Sequence, residues 1–245
     1  MKTALITGAS GAIGRETVKT FIKQGYYVTA QYNSDEKSIN LLREELEKEG
    51  FSNFLNAVKA DFSKKGEAER VYAEHKKCFP SIDVLVSNAG VDLYKTADET
   101  TEDEWDTLFN VNVKASFLLT KEALKDMISK KSGKILFVSS IWGVSGGSYE
   151  SCYSATKSAL IGYAKALAKE VGPSNINVNC ICPGVVKSPM NDGYTEEEMQ
   201  DIINRTPLNR IATPSEIAEI IYFLCSEKAS FITGQALVCD GGFIL

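Results

Sequence analysis

Histidine is almost missing from this 245-residue sequence, in which His75 is the only one. No two of the six cysteines (Cys78, Cys152, Cys180, Cys182, Cys225, Cys239) have the Cys-x-x-Cys spacing. Together these shortages argue against a metal site built from imidazole and thiolate. A chain this long can bury about three quarters of its unfolded surface and needs no disulfide staples. The cysteines are therefore expected as small, reduced core residues, with Cys180 and Cys182 on one face of a strand. His75 is expected at the surface of a helix. No stretch reaches the ~18 apolar residues of a membrane span, and the first residues enter a strand without the ~7–15-residue apolar core of a signal peptide. The expectation is a cytoplasmic protein with no membrane partner. Basic runs are also absent. Lysine and arginine number 27 against 32 acidic residues, for a net charge of -5, and the pI is about 5.2. That balance disfavours nucleic acid as a partner.

What is present is ordinary globular material, 44% hydrophobic and 24% charged. Short apolar runs rich in Val and Ile alternate with segments of helical period. Strands are predicted over 4–7, 27–32, 54–60, 84–87, 135–139, 177–181 and 236–239. Helices are predicted over 14–23, 36–49, 67–78, 102–129 and 154–171. Several strands lack polar alternation, as strands covered on both faces do. The alternation implies right-handed βαβ units and a parallel sheet in one domain spanning residues 1–245. Residues 187–211 break the rhythm. Thr195 with Glu198 forms a capping-box signal for a helix starting near Glu196, and Thr213-Pro214-Ser215-Glu216 repeats the signal. The inserted helix follows a strand's C-terminal end and is expected to be a lid over a ligand.

The first strand runs into Thr7-Gly8-Ala9-Ser10-Gly11-Ala12-Ile13-Gly14 and then a helix. Glycine permits a tight turn there, and the free N–H groups of the helix start suit a pyrophosphate. The turn therefore predicts a dinucleotide site. Dinucleotide sites for NAD usually place a carboxylate at the tip of the second strand, against the ribose 2′-hydroxyl. Here the tip reads Gln31-Tyr32-Asn33-Ser34, and Asp35 and Glu36 look like the start of the next helix. Asn33 and Ser34 could donate hydrogen bonds to a 2′-phosphate, so NADP(H) is expected over NAD(H). No arginine lies in the glycine turn to neutralise that phosphate.

Tyr153 and Lys157 are four residues apart at the start of a helix and share one of its faces. A free phenol has a pKa near ~10 and is a poor base at neutral pH. A neighbouring ammonium favours the phenolate and should draw that pKa down. The strand ending in Ser139-Ser140 points a hydroxyl into the crevice of an open sheet, where Ser140 could hydrogen-bond a carbonyl. Tyr149 is a rival phenol, but the residue four places on is Tyr153 and not lysine.

These pieces stand in the order of the short-chain dehydrogenase/reductase family, which the chain resembles from end to end. They are the glycine turn, Asp61-Phe62, Asn88-Ala89-Gly90, Val111-Asn112-Val113, Ser139-Ser140, Tyr153–Lys157 and Pro183-Gly184. The resemblance implies a Rossmann-type, doubly wound, seven-stranded parallel sheet, usually in a homotetramer or homodimer. It implies Ser140, Tyr153, Lys157 and Asn112 as the catalytic set, with Asn112 holding a water beside the lysine. Asp61 would bind the adenine amino group, Phe62 would pack beside it, and Asn88-Ala89-Gly90 would lie under the adenosine ribose. Lys157 would also grip the nicotinamide ribose. Val186 and Ser188, beyond Pro183-Gly184, would hold the carboxamide. Two departures from the family pattern stand out: Ala12 where it has a second glycine, and Gly11 where NADP enzymes often carry arginine. Within the family the chain is most similar to the 3-oxoacyl-[acyl-carrier-protein] reductases, and Ile232-Thr233-Gly234-Gln235 and Asp240-Gly241-Gly242 agree with that group. Carrier-protein docking in the group uses two basic positions. Lys131 matches one, and the other falls on the uncharged Ser174. A reductase of a free ketone, aldehyde or polyol therefore stays open, as does a non-catalytic dinucleotide sensor.

Overall fold

The structure is a computed structural model describing residues 1–191 and 193–244. Its centre is a seven-stranded, wholly parallel sheet in the order β3-β2-β1-β4-β5-β6-β7. The strands are β1 (Lys2–Ile6), β2 (Tyr26–Tyr32), β3 (Leu55–Lys59), β4 (Val84–Ser87), β5 (Gly133–Val138), β6 (Ile176–Pro183) and β7 (Ala236–Cys239). Between them run α1 (Ala12–Lys23), α2 (Glu36–Lys48), α3 (Glu67–Cys78), α4 (Glu102–Phe109), α5 (Ala115–Lys130), α6 (Trp142–Ser145), α7 (Ser151–Val171), α8 (Glu196–Arg205) and α9 (Pro214–Cys225). All seven predicted strands and the predicted Rossmann arrangement are present, with no strand boundary shifted by more than two residues. The short α6 gave no periodic signal in the sequence.

Successive strand residues point to opposite faces, and both faces are covered. Ala4, Ile6, Val84, Val86, Leu136 and Val138 pack under α1, α2 and α9. Their neighbours Leu5, Leu85, Ile135, Phe137, Val178 and Cys180 pack under α3, α5 and α7. This is why the strands read as continuous apolar runs. Cys180 and Cys182 are fully buried, as expected, and all six cysteines are free thiols. Capping boxes start α8 at Thr195/Glu198 and α9 at Thr213/Glu216 as predicted, and a third at Thr101/Glu104 starts α4. Among the described residues no helix is long and apolar enough to cross a membrane.

Where one helix was predicted over 102–129, α4 and α5 are joined by a π-turn at Asn110–Lys114. Such wide turns are uncommon inside helices and cluster at functional sites. His75 corrects another expectation, because it is fully buried. Ala68, Val71, Tyr72 and His75 follow one another at helical spacing along the inner face of α3. The ring's Nδ1 lies 2.9 Å from the Thr29 hydroxyl, and Nε2 lies 3.3 Å from the Ser81 carbonyl. Both ring nitrogens thus find partners inside the core.

Burial holds the His75 pKa down at about 4. As pH falls below ~6.5, the unfolded chain takes up a proton that the folded chain refuses until about pH 4. Above ~6.5 this residue makes no pH-dependent contribution; below it, stability is lost by up to about 3 kcal/mol. The imidazole resonances of this sole histidine should titrate with a midpoint near 4 in the folded protein. His75→Gln should flatten the fall in denaturant stability between about pH 6.5 and 4. An NMR midpoint near the free value would show the ring to be solvated instead.

Candidate active site

In an open parallel sheet, ligands bind beyond the strand C-termini, where the chain order reverses. Here the reversal lies between β1 and β4. A cleft of about 500 Å³ opens at that place.

Its floor is the turn after β1. Gly8 has φ +66°, in the left-handed region that suits glycine, and a side chain there would meet the Asn88 amide at 2.8 Å. At Gly14 a Cβ would sit 2.1 Å from the Gly8 carbonyl oxygen, so α1 begins almost in contact with the turn. Thr7 ties this floor to β4: its hydroxyl accepts the N–H groups of Asn88 and Ala89, each at 2.9 Å. The Asn88 amide donates to the carbonyls of Thr7 and Gly8 at 2.9 and 3.2 Å. Asn88 is thus a brace between two strand ends as well as a lining residue.

Gln31 gave no sequence signal beyond its place near the end of β2. Its buried side chain accepts the Gly8 N–H at 3.0 Å and donates to the Ala60 carbonyl at 2.8 Å, while its own carbonyl accepts the Ala9 N–H at 2.8 Å. One amide therefore fixes the glycine turn against the end of β3. A polar residue closing a buried strand was the only hint available.

Of the predicted cofactor residues, Gly8, Ser10, Gly11, Ala12, Ile13, Gly14, Asn33, Asp61, Phe62, Asn88, Ala89, Gly90, Pro183, Gly184 and Ser188 all line the cleft. Two do not. Ser34 is exposed and lies off the lining, and its place is taken by Asp35 and Ser38 at the start of α2. Asp35 caps that helix, accepting the Ser38 N–H at 3.0 Å and the Ser38 hydroxyl at 2.5 Å. These bonds hold its carboxyl below the usual range. Val186 is buried in the core; its carbonyl accepts the Asn191 amide at 2.6 Å, and it lies off the cleft lining. Asp61 keeps one oxygen bound to the Ser63 N–H and hydroxyl, at 3.0 and 2.7 Å.

The glycine cradle, the helix start above it and the side-chain donors around it fit a dinucleotide: the floor is backbone with no room for a Cβ at Gly8 or Gly14, and the N–H groups of the helix start face it. Among the described residues no three His, Cys, Asp or Glu side chains gather as a metal site.

At the other end Ser140, Tyr153 and Lys157 converge on the same cleft. Ser140 follows β5 and lies beside Tyr153, whose pKa its hydroxyl acts to lower. Its oxygen also accepts the Trp142 N–H at 3.2 Å. Lys157 lies one helical turn from Tyr153, with its ammonium 5.4 Å from the phenol ring's centre. That ammonium is buried and donates to the Val138 carbonyl at 3.0 Å. Gly90 makes room for it, since a Cβ there would lie 3.2 Å from Lys157 Nζ and 3.3 Å from Asn112 Oδ1.

The expected downward pull on the phenol is not the net result. Burial pushes the Tyr153 pKa up, the Glu150 carboxylate adds to the rise, and the Ser140 hydroxyl only partly opposes it. Lys157 moves the other way, lowered by burial to about 8. The pair is therefore a neutral phenol beside an ammonium that gives up its proton easily, which suits proton donation better than resting phenolate chemistry.

Asn112 stands beside Lys157, behind the cleft lining. Its side chain is fully buried in the π-turn and does not line the cleft. It accepts the Val91 N–H at 2.8 Å and donates to the Val91 carbonyl and the Thr156 hydroxyl at 2.9 and 3.0 Å. Thr156 in turn donates to the Tyr153 carbonyl at 2.7 Å. The amide's two donors are spent on positioning β4's exit loop and α7.

Comparison with known proteins agrees with this geometry. Residues 8–244 match the short-chain dehydrogenase family model described as enoyl-(acyl carrier protein) reductase. The chain is 39% identical to the uncharacterized oxidoreductase YmfI of Bacillus subtilis, over 99% of this chain and 98% of that one. It is 34% identical to the 3-oxoacyl-[acyl-carrier-protein] reductase FabG of Thermotoga maritima, covering 100% of this chain and 98% of the relative. With FabG of Rickettsia typhi the identity is 36%, over 100% and 97%. With its Rossmann sheet, glycine cradle and Ser-Tyr-Lys cleft, this oxidoreductase chain belongs to the short-chain dehydrogenase/reductase family.

Proposed function

We propose that the protein is an NAD(P)H-dependent carbonyl reductase, preferring NADPH, in which Tyr153 delivers the proton to the carbonyl oxygen. The observation that carries this reading is the convergence of Ser140, Tyr153 and Lys157 on one cleft with the glycine turn. Bound on that turn, a nicotinamide dinucleotide would supply the hydride. Ser140 orients the substrate oxygen toward the phenol. Lys157, held by the Val138 carbonyl, replaces the proton that Tyr153 gives up and faces the ribose. Asn112 acts as a positioning residue for this relay and for any water beside it. Asp61 and Phe62 frame the adenine end, with Asn33 and Ser38 as donors toward a 2′-phosphate. Residues 187–211, carrying α8, serve as the lid of a domain that spans the whole chain.

Two substrate readings follow. Likeness to relatives named 3-oxoacyl-[acyl-carrier-protein] reductase supports a 3-oxoacyl thioester, and hence a place in fatty acid synthesis. Against a bulky acidic carrier stands the docking surface. Lys131 and Asn175 are joined there by a 3.2 Å hydrogen bond, and Ser174 beside them brings no second cation. That observation favours a free ketone, aldehyde or polyol. Exposed Phe117, Phe231, Leu237 and Val238 support self-association into a dimer or tetramer. Six free thiols agree with a cytoplasmic setting.

Purified protein should oxidise NADPH in the presence of acetoacetyl thioesters or simple diketones. Tyr153→Phe should lower kcat by about 100-fold or more while leaving dinucleotide affinity nearly unchanged. Near wild-type turnover in that variant would overturn the assignment; tight NADPH binding with no turnover on any carbonyl would identify a sensor. The Asp35 carboxylate at the mouth of the 2′ site opposes a phosphate there. Asp35→Asn should therefore raise the NADPH:NADH ratio of kcat/KM by roughly three- to tenfold. An unchanged ratio would place the 2′ end of the dinucleotide elsewhere.

A further inference from the structure

Asp240-Gly241-Gly242 has no part in the proton relay, yet the turn it forms directly after β7 meets three separate pieces of the cleft's surroundings. The first is a cleft wall. Gly184 lines the cleft, its N–H donates to the Cys239 carbonyl at 3.0 Å, and a Cβ on it would lie 2.8 Å from the Asp240 Cβ. The turn is also held in shape from within. The Asp240 carboxylate accepts the N–H groups of Gly242 and Ile244 at 2.8 and 2.9 Å. The second piece is the outgoing end of the lid. The lid segment begins with Ser188 and Pro189 on the cleft lining and leaves α8 through Thr206 and Leu208. The Leu208 N–H donates to the Gly241 carbonyl at 3.2 Å. A Cβ on Gly241, which has φ +67°, would lie 2.7 Å from the Thr206 methyl.

Phe243 makes the third contact and reaches in two directions. On one side lies the Arg205 guanidinium, from the last turn of α8, 4.8 Å from the ring's centre and 3.7 Å from Asp201. On the other, the Trp142 ring meets it edge to face, with centroids 6.2 Å apart and planes at 75°. Trp142 is the residue whose N–H the Ser140 hydroxyl accepts at 3.2 Å. Its ring is closely packed, since a Cβ on Gly147 would lie 3.0 Å from it. Phe243 itself lies off the cleft lining. Any influence it has on the reaction therefore passes through these neighbours.

A ring touched by a guanidinium on one side and an indole on the other bridges the two elements that supply them. We propose that Phe243 is a positioning residue: the C-terminal turn seats the outgoing end of the lid, and Phe243 carries that seat through Trp142 to the Ser140 hydroxyl. A reacting group misplaced by about 1 Å costs up to ~100-fold in rate, so a residue outside the cleft has this much to act on. This inference rests on the reductase reading above and adds to it a residue that never meets the substrate.

The test uses the NADPH-loaded protein with an acetoacetyl thioester or a diketone, whichever it reduces faster. Phe243→Leu should lower kcat by about tenfold and leave NADPH affinity within about twofold. Phe243→Tyr, which keeps the ring, should restore wild-type turnover. Arg205→Met should also lower kcat, and combining it with Phe243→Leu should cost no more than about twofold beyond Phe243→Leu alone. A second readout needs no substrate. After Trp105→Phe, Trp142 is the sole tryptophan. In that background Arg205→Met should shift the Trp142 emission maximum, and Phe243→Leu should abolish the shift. Effects of the two substitutions that multiply, a parallel loss of NADPH affinity, or an emission shift that survives Phe243→Leu overturns this inference and leaves the reductase reading intact. The expected emission behaviour in a protein that reduces no carbonyl overturns the reductase reading and keeps the link between α8 and Trp142.

Discussion

Lys157 carries an ammonium group into a nearly buried place at the edge of the cleft, and the neighbouring elements are shaped around that fact. An unpaired charge in such a place is costly, and burial lowers its pKa to about 8. The compensation is local and sparse: one carbonyl at the end of β5, at 3.0 Å, and the absence of a side chain at Gly90. The backbone of the same residue is also held. Ser139 donates to the Lys157 carbonyl at 2.8 Å, and Gly143 lets α6 approach until a Cβ would lie 2.8 Å from that carbonyl carbon. Strand β5, α6 and α7 therefore meet at this lysine, and the phenol one turn earlier inherits its position from that meeting.

The π-turn between α4 and α5 extends the same logic across the cleft. By widening the helix for one turn it aims Asn112 inward, where the amide holds Val91 on one side and Thr156 on the other. The loop after β4 is thereby fixed to the helix that bears the phenol. On the far side, Thr7, Asn88 and Gln31 tie the ends of β1, β4, β2 and β3 into one floor. Both halves of the cleft are rigid because their polar groups are spent on each other.

Much of this was readable in the residues. Apolar runs without alternation announced a parallel sheet, since a strand covered on both faces has no side to leave polar. Glycine spacing marked the turn because only a missing Cβ lets α1 begin against Gly8. The four-residue interval placed Tyr153 and Lys157 on one face. What stayed hidden depended on partners distant in sequence. Gln31 looks like any polar residue until Gly8 and Ala60 are brought to it. Ser34 and Asp35 differ by one position, yet only the second turns into the cleft, because Asp35 must cap α2. The phenol's acidity depended on Glu150 and on burial, neither of which spacing reveals. His75 was legible and misread, for the inward period of α3 runs straight through it.

The crossover between β1 and β4 has a wider consequence. No two neighbouring strands of this sheet are joined by a hairpin, so every pairing waits for a helix to pass over the top. The cleft's walls come from segments as far apart as Gly8 and Pro189, and a molecule lodged between them acts as a strut across parts that assemble late. Such a strut adds stability in proportion to the logarithm of its concentration. The stability of the folded chain is then coupled to the concentration of whatever the cleft holds.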